Sequence, residues 1–527
     1  MTESDRMLLS GNEAIACAAL DAGVALGCGY PGTPSTEILE FFSALGGAAQ
    51  WSPNEKVALE VALGAAFAGA RALATMKHVG LNVAADPLFT AAYTGVTGGL
   101  VIVSADDPGM ASSQNEQDNR RYAVAAGVPM LEPADSQQAY DFLAAAIEIS
   151  ERWAMPVLLR VTTRICHSKT IVRRHRLDGP RQAPRFVRDV QGRVMIPAYA
   201  RLAHRRLREK LADIAAWNET CPLNTLAEGG GELGIIASGI STMHAREAAP
   251  NARLLQLGMT YPLPIARIRA FVSSVKRCIV IEEGDPCLAE AIRAEGIAVQ
   301  DKPAMYRFGE LSVERAARIL AADVSPEPEP PKGKPPQLCV GCPHRLTFET
   351  LRALDCIVAG DIGCYTLGVL PPFEAMDTCV CMGASIGVGL GLRHALPAEQ
   401  ARRVVSVIGD STFVHSGITG LVEMVYNPPP TGHVVVILDN GTTAMTGLQE
   451  HPGTGRRLNH EPTTRLSIEE LARALGVQCV TVIDPVAQRE HLGPLLADSL
   501  ANGRLNVIVV RRPCLLAARR VARASCP

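Results

Sequence analysis

Asp410 and Asn440 stand 30 residues apart, and each follows an apolar run, 404–408 for the first and 434–438 for the second. The run 404–408 reads as a buried strand, Gly409 permits a tight turn, and 411–426 reads as a helix whose N-terminus can receive phosphate. The second run delivers Asn440 to the same edge of a parallel sheet. Mg²⁺ is a hard ion held by one or two carboxylate or amide oxygens together with substrate phosphates, so a strand-end Asp beside a strand-end Asn suits a magnesium-diphosphate grip. Gly-Asp and Asp-Asn pairs also make ordinary turns in α/β proteins, and spacing alone leaves both roles open.

Three blocks surround and include this segment. Residues 8–185 alternate helical patterns with short apolar strands at 101–104 and 157–161, the βαβ rhythm of a doubly wound domain. An Arg-rich helical connector, 186–230, contains a helix over 201–217 and ends in Gly229-Gly230-Gly231. A smaller α/β block follows over 231–324, with strands at 233–237 and 278–282. The stretch 325–336, Ser-Pro-Glu-Pro-Glu-Pro-Pro-Lys-Gly-Lys-Pro-Pro, reads as a stiff solvated linker. Beyond it, 337–527 carries the Gly-Asp-Ser segment.

Composition narrows the function classes. With 47% apolar and 20% charged residues, the 527-residue chain has ample core for several globular domains. A net charge of −2 provides no broad basic face, which excludes nucleic acid and anionic membrane surfaces as expected partners. The N-terminal Met-Thr-Glu-Ser-Asp-Arg-Met lacks the apolar core of a secretory signal, and Gly, Pro or charge breaks each long apolar run before spanning length. The expected compartment is the cytoplasm. There the 15 cysteines are not a disulfide framework but buried small hydrophobes or metal ligands.

Six motifs in register carry a resemblance: Gly11-Asn12-Glu13-Ala14, Tyr30-Pro31-Gly32-Thr33-Pro34-Ser35, Asn54-Glu55-Lys56-Val57-Ala58-Leu59-Glu60, Leu338-Cys339-Val340-Gly341-Cys342-Pro343-His344, Gly360-Asp361-Ile362-Gly363-Cys364-Tyr365, and Asp439-Asn440-Gly441-Thr442-Thr443-Ala444-Met445-Thr446-Gly447. Over nearly the whole chain it resembles the large (alpha) subunit of indolepyruvate ferredoxin oxidoreductases, thiamine-diphosphate enzymes of the 2-oxoacid ferredoxin oxidoreductase superfamily. The resemblance implies an α/β protein of three doubly wound domains. These are a pyrimidine-binding domain over 1–185, a transketolase-C-terminal-like domain over 231–324 and a diphosphate/Mg-binding domain over 337–527.

The resemblance also assigns residues. Asp410, Asn440 and the Thr442 carbonyl become Mg²⁺ ligands, the Gly409 and Ser411 amides face diphosphate, and Thr446 lies in a loop closing over the thiazolium. Thiamine catalysis needs a carboxylate against the aminopyrimidine, where general acid-base work activates the thiazolium carbon. Glu55 and Glu60 are candidates; five helical residues turn them roughly 140° apart, so only one faces the pocket. Counted back from Gly64, Glu55 falls where related enzymes place the catalytic Glu, and Glu60 then faces the surface or an interface. A helix N-terminal carboxylate is the plain alternative for Glu55. Thr33 matches a Thr that touches cofactor or substrate, with an N-cap as its alternative. Arg120 is placed to fork onto a substrate carboxylate, or to sit in a solvated loop. His344 and His415 are further candidates for the same cavity.

Cys339, Cys342, Cys364 and Cys514 match positions that hold a [4Fe-4S] cluster in smaller relatives, although C-x-x-C is also a zinc or redox spacing. Large subunits of this type commonly continue into a ferredoxin domain with C-x₂-C-x₂-C-x₃-C-P runs, whereas this sequence ends at Ala524-Ser525-Cys526-Pro527, which leaves the next acceptor unassigned. The resemblance implies oxidative decarboxylation of an aryl pyruvate with CoA. The electrons pass to ferredoxin or another acceptor, in a hetero-oligomer containing a small (beta) subunit and a dimer of this chain. A non-oxidative decarboxylase releasing an aldehyde is the alternative. A non-catalytic scaffold is a third reading, opposed by the joint retention of Glu55, Asp410 and Asn440.

Overall fold

The computed structural model describes residues 6–175, 183–328 and 336–524, with side chains to 520. Most of the proline-rich linker, 329–335, lies outside the described residues. The chain forms two compact units, Met1–Pro328 and Glu329–Pro527.

The first unit is built on a seven-stranded sheet in the order Met259–Tyr261, Met130–Leu131, Val157–Thr162, Leu100–Asp106, Ala72–Lys77, Leu26–Gly29, Ala49–Trp51. All neighbours are parallel except the first pair, where Met259–Tyr261 runs antiparallel to Met130–Leu131. The central strands Leu100–Asp106 and Val157–Thr162 are buried at every position, as strands covered by helices on both faces must be. A second sheet orders Arg277–Ile281, Leu233–Ala237, Arg253–Gln256 and Thr225–Ala227, the last antiparallel. The expected strands at 101–104, 157–161 and 278–282 are thus found with ends shifted by one or two residues, and the connector helix runs Pro197–Asn218. The strand Thr225–Ala227, inside the expected connector, pairs with Arg253–Gln256 through its backbone, a long-range contact with no local signature.

Buried charges tie the two sheets of this unit together. Arg120, 3% exposed, pairs with Asp118 and Glu282, and its Nη2 also donates to the carbonyls of Glu283 (2.7 Å) and Asp285 (2.8 Å). Arg160 pairs with Asp106 and Glu132 at 2.7 Å each. Lys302 donates to the Glu282 carbonyl, and burial pushes its ammonium down to about 8. Burial pushes the Glu283 carboxyl up to about 7, against the opposing pull of Arg160. The folded value of Glu283 exceeds its ordinary one, so its contribution to stability is full at low pH and lost as the pH rises through about 7. Urea midpoints should therefore fall between pH 5 and 7 on the order of 1–3 kcal/mol in stability, and Glu283→Gln should flatten that slope. An unchanged slope in the variant would assign the pH dependence to other groups.

The second unit is one six-stranded parallel sheet, ordered Thr378–Cys379, Ile357–Gly360, Val404–Gly409, His433–Asp439, Leu505–Arg511, Cys479–Ile483. Every residue of Val404–Gly409 and His433–Asp439 is buried, consistent with the apolar runs. The expected helix 411–426 is interrupted: Asp410–Thr412 leads into a π-helical turn, Phe413–Gly417, before Ile418–Tyr426 resumes the α-helix. Close packing accompanies the wider turn, since a methyl on Gly417 would lie 2.7 Å from the Ile408 side chain and one on Gly383 2.5 Å from Ser416. Among the described residues no helix is long and apolar enough to cross a membrane.

Candidate active site

In the second unit, strand order reverses between Ile357–Gly360 and Val404–Gly409, and open α/β sheets bind ligands outside the carboxyl ends of strands at such a point. Each of these strands ends in Gly-Asp. Asp361, fully buried, accepts from the amides of Ile362 (2.8 Å), Gly383 (2.9 Å) and Ser385 (3.0 Å), which pins the loop after the first strand to the helix Ala384–Ala395. Burial raises its carboxyl above the usual range despite those amides. Tyr365 spans the crevice, its hydroxyl donating to the Ile362 carbonyl at 2.8 Å and lying 3.2 Å from the Thr412 hydroxyl. Gly409 is required beneath that ring, because a methyl there would meet Tyr365 at 2.6 Å.

Asp410 is 2% exposed. Its Oδ1 accepts from the Ser411 amide and its Oδ2 from the Gly441 amide, both at 2.8 Å, so the loop after the neighbouring strand is fastened to this carboxylate. His451 Nε2 stands 3.2 Å from Oδ2. The Gly453 amide donates to His451 Nδ1 at 3.2 Å, which turns Nε2 toward Asp410. Burial pushes Asp410 up, but His451 and the two amides outweigh it and hold the carboxyl below its ordinary value. Asp439 is held high by burial and by Asp410, with Arg511 Nε donating to it at 2.6 Å as partial relief. Within this adjacent pair the surroundings favour the charged form of Asp410 and oppose that of Asp439.

Asn440 Oδ1 accepts from the Thr442 amide at 3.0 Å, and its Nδ2 faces His344 Nε2 at 3.4 Å. Burial drives the His344 imidazole down to about 4, so it is neutral and able to accept. The Ser411 hydroxyl accepts from Thr443 at 2.9 Å, and Thr446 donates to Gln449 Oε1 at 2.6 Å within a loop closed by the bridge Thr443 to Gln449. Asp410, Ser411, Asn440 and Thr442 therefore gather at the ends of two adjacent strands. An ionised carboxylate, an amide oxygen and backbone groups form a hard-oxygen donor set that fits Mg²⁺ and diphosphate. His415 is buried against Ser416.

A cavity of about 80 Å³ opens beside Asn440. Cys339, Cys342, Cys364 and Cys514 all line it, together with His344 and Asn440. Burial raises the thiol of Cys342 and pushes that of Cys364 up to about 11, with further contributions from the neighbouring cysteines. Among the described residues no three His, Cys, Asp or Glu side chains close on one ion-sized point. Four soft thiols around one mostly apolar space fit a cluster, which holds its ligands farther apart than a single ion does.

In the first unit, Asn54 caps the helix Glu55–Phe67 through the Val57 amide (3.0 Å), which places Glu55 in its first turn. Glu55 is 5% exposed, whereas Glu60, five residues on, is 43% exposed and paired with Lys56. Gly80 makes room for the Glu55 carboxyl, since a methyl there would sit 2.6 Å from it. Thr33 is partly buried in the turn before the helix Thr36–Ala44, whose cap position is Ser35. Arg120 requires a correction. Neither a substrate fork nor a solvated loop residue, it has its guanidinium committed to Asp118, Glu282 and two carbonyls.

Sequence reasoning also passed over Asp361, Asp439 and His451. The repeated Gly-Asp at two strand ends, Gly360-Asp361 and Gly409-Asp410, was a usable signal for the first, and adjacency to Asn440 for the second. His451 had none, lying 41 residues from Asp410.

Comparisons with known proteins agree with this geometry. Residues 17–191 match the family described as pyruvate flavodoxin/ferredoxin oxidoreductase, thiamine diphosphate-binding. Residues 361–510 match the thiamine pyrophosphate enzyme, C-terminal TPP binding domain. The chain is 41% identical to the indolepyruvate oxidoreductase subunit IorA of Archaeoglobus fulgidus, over 99% of this chain and 88% of that protein. It is 40% identical to the same subunit of Methanothermobacter thermautotrophicus, over 98% and 88% respectively. The fold is similar to that of a 2-oxoglutarate:ferredoxin oxidoreductase from Magnetococcus marinus (TM-score 0.51, 19% identity, 61% of this chain and 66% of that one).

Proposed function

Since the chain belongs to the indolepyruvate oxidoreductase subunit IorA family, we propose that it converts an aryl pyruvate and CoA to an acyl-CoA and CO₂, with electrons leaving through a [4Fe-4S] cluster. It is a thiamine-diphosphate-dependent 2-oxoacid oxidoreductase. The balanced change releases one proton and two electrons per 2-oxoacid, and the electrons depart singly to ferredoxin or another acceptor. A small partner subunit completes the enzyme, in a hetero-oligomer containing two copies of this chain.

Thiamine diphosphate, when bound, supplies the ring that stabilises the carbanion left by decarboxylation. Asp410, Asn440 and the Thr442 carbonyl would hold Mg²⁺, and the diphosphate would sit at the Gly409 and Ser411 amides, the second exchanging its bond to Asp410 for it. His344, neutral and buried, faces the Asn440 Nδ2 and so turns the amide oxygen the other way, where it accepts from the Thr442 amide and keeps a second lone pair for the metal. Glu55 moves the proton at the aminopyrimidine from a site shielded from water. Thr33 would contact the substrate in the crevice of the first unit, and in the second unit the Thr446 loop would shield the thiazolium from water.

The observation that favours oxidation over simple decarboxylation is the cavity that Asn440 shares with Cys339, Cys342, Cys364 and Cys514. A one-electron acceptor housed there adjoins the cofactor grip. Anaerobic co-purification with the partner subunit should yield about four iron and four sulfide per chain. Cys342→Ala should stop acceptor reduction while sparing thiamine diphosphate binding. An iron-free preparation that releases aldehyde from the aryl pyruvate would instead establish the non-oxidative decarboxylase.

A further inference from the structure

Strand order in the seven-stranded sheet reverses between Leu26–Gly29 and Ala72–Lys77, so the ligand crevice of the first unit lies at Tyr30 to Thr33 and at Lys77. Lys77 ends the second of these strands. Its stem runs beside Gly32, where an added methyl would lie 3.4 Å from the Lys77 Cβ and Cδ. Its ammonium lies in the field of Asp107 and of Glu55, the carboxylate proposed for the aminopyrimidine. Burial lowers its proton affinity, with Asp107 and then Glu55 opposing.

Among the described residues Lys77 makes no ion pair. Its one hydrogen bond runs to the Ser112 carbonyl at 2.9 Å, a neutral acceptor in the loop that follows Leu100–Asp106. The three donors of this partly desolvated ammonium meet one neutral protein acceptor, and an ionised oxygen would be a stronger partner than that carbonyl. Arg120, the other cation expected to meet a carboxylate, is fully committed elsewhere.

We infer that Lys77 binds the carboxylate of the 2-oxoacid substrate, exchanging the Ser112 carbonyl for it. This assignment rests on the thiamine reading of Glu55, because Lys77 lies in the field of that carboxylate within the crevice of the first unit. The carboxylate departs as CO₂ only once the barrier is crossed, so the charge pair holds the substrate complex and the transition state alike. Such a contact selects and orients substrate without lowering the decarboxylation barrier, and its loss shows in KM rather than in kcat.

The test uses the full chain with its partner subunit. Lys77→Met should raise KM for the aryl pyruvate about 10–100-fold, the range of a lost charged hydrogen bond. KM for CoA, kcat and proton exchange at C2 of bound thiamine diphosphate should stay within about 3-fold, and Lys77→Arg should recover most of the loss. An aryl pyruvamide, which lacks the carboxylate, should inhibit the wild type less strongly than an inert 2-oxoacid analogue bearing one, and Lys77→Met should erase that difference. An unchanged KM for the 2-oxoacid, a rise confined to CoA, or lost C2 exchange in Lys77→Met would overturn the assignment. Wild-type enzyme without thiamine-dependent exchange would instead overturn the underlying reading of the crevice, and this assignment with it.

Discussion

Asp410→Ala is expected to weaken Mg²⁺-dependent thiamine diphosphate binding by more than about 100-fold. The carboxylate is ionised in spite of burial, since His451 and the Ser411 and Gly441 amides favour its charged form, and a divalent ion needs that charge. Removing it also releases the Gly441 amide, and with it the loop that carries Asn440 and Thr442. The strands on either side pair along their length through backbone, so the sheet should survive the change. Calorimetric titration of the cofactor with Mg²⁺, alongside circular dichroism, would measure both effects. Wild-type affinity in the variant would remove the metal grip from the account.

Glu55→Gln should bind the cofactor with near-normal affinity but lose proton exchange at its C2 carbon by about 10²–10⁴-fold, the usual scale of a lost general acid-base group. Glu60→Gln should exchange at close to the wild-type rate, because its carboxylate is at the surface on Lys56 while Glu55 is enclosed by the helix cap and by Gly80. Deuterium exchange followed by proton NMR separates the two. Exchange lost in Glu60→Gln alone would reverse the assignment.

The second unit was the more legible from sequence, and the reason is physical. Strands buried on both faces are written as unbroken apolar runs, and a Gly-Asp or Asp-Asn at their ends marks the turn, so Val404–Gly409 and His433–Asp439 with Asp410 and Asn440 could be read locally. The π-helical turn Phe413–Gly417 left no mark, because what accompanies it is contact with Ile408, while its own residues read as ordinary apolar helix. Arg120 was misjudged for the same kind of reason. Its local surroundings are polar and loop-like, while Glu282, Glu283 and Asp285 reach it from more than 160 residues away. The convergence of Cys339 and Cys342 with Cys364 and Cys514 was available only through resemblance, since no periodicity links them.

The edge strand Met259–Tyr261 sets a timetable for the newborn chain. It completes the first sheet by pairing with Met130–Leu131, 259 − 131 = 128 residues earlier, and Glu282 then neutralises Arg120 across a still longer span. Contacts so distant in sequence form late, because the intervening loop must close before they repay its entropy. During synthesis at about 5–20 residues per second, the first sheet must therefore wait on the order of ten seconds with an open edge and with Arg120 lacking Glu282. The early chain is most exposed to misassembly in that interval. Slow translation between residues 131 and 282 would prolong it, and a chaperone that shields strand edges should raise the yield of folded protein more than one that acts after release.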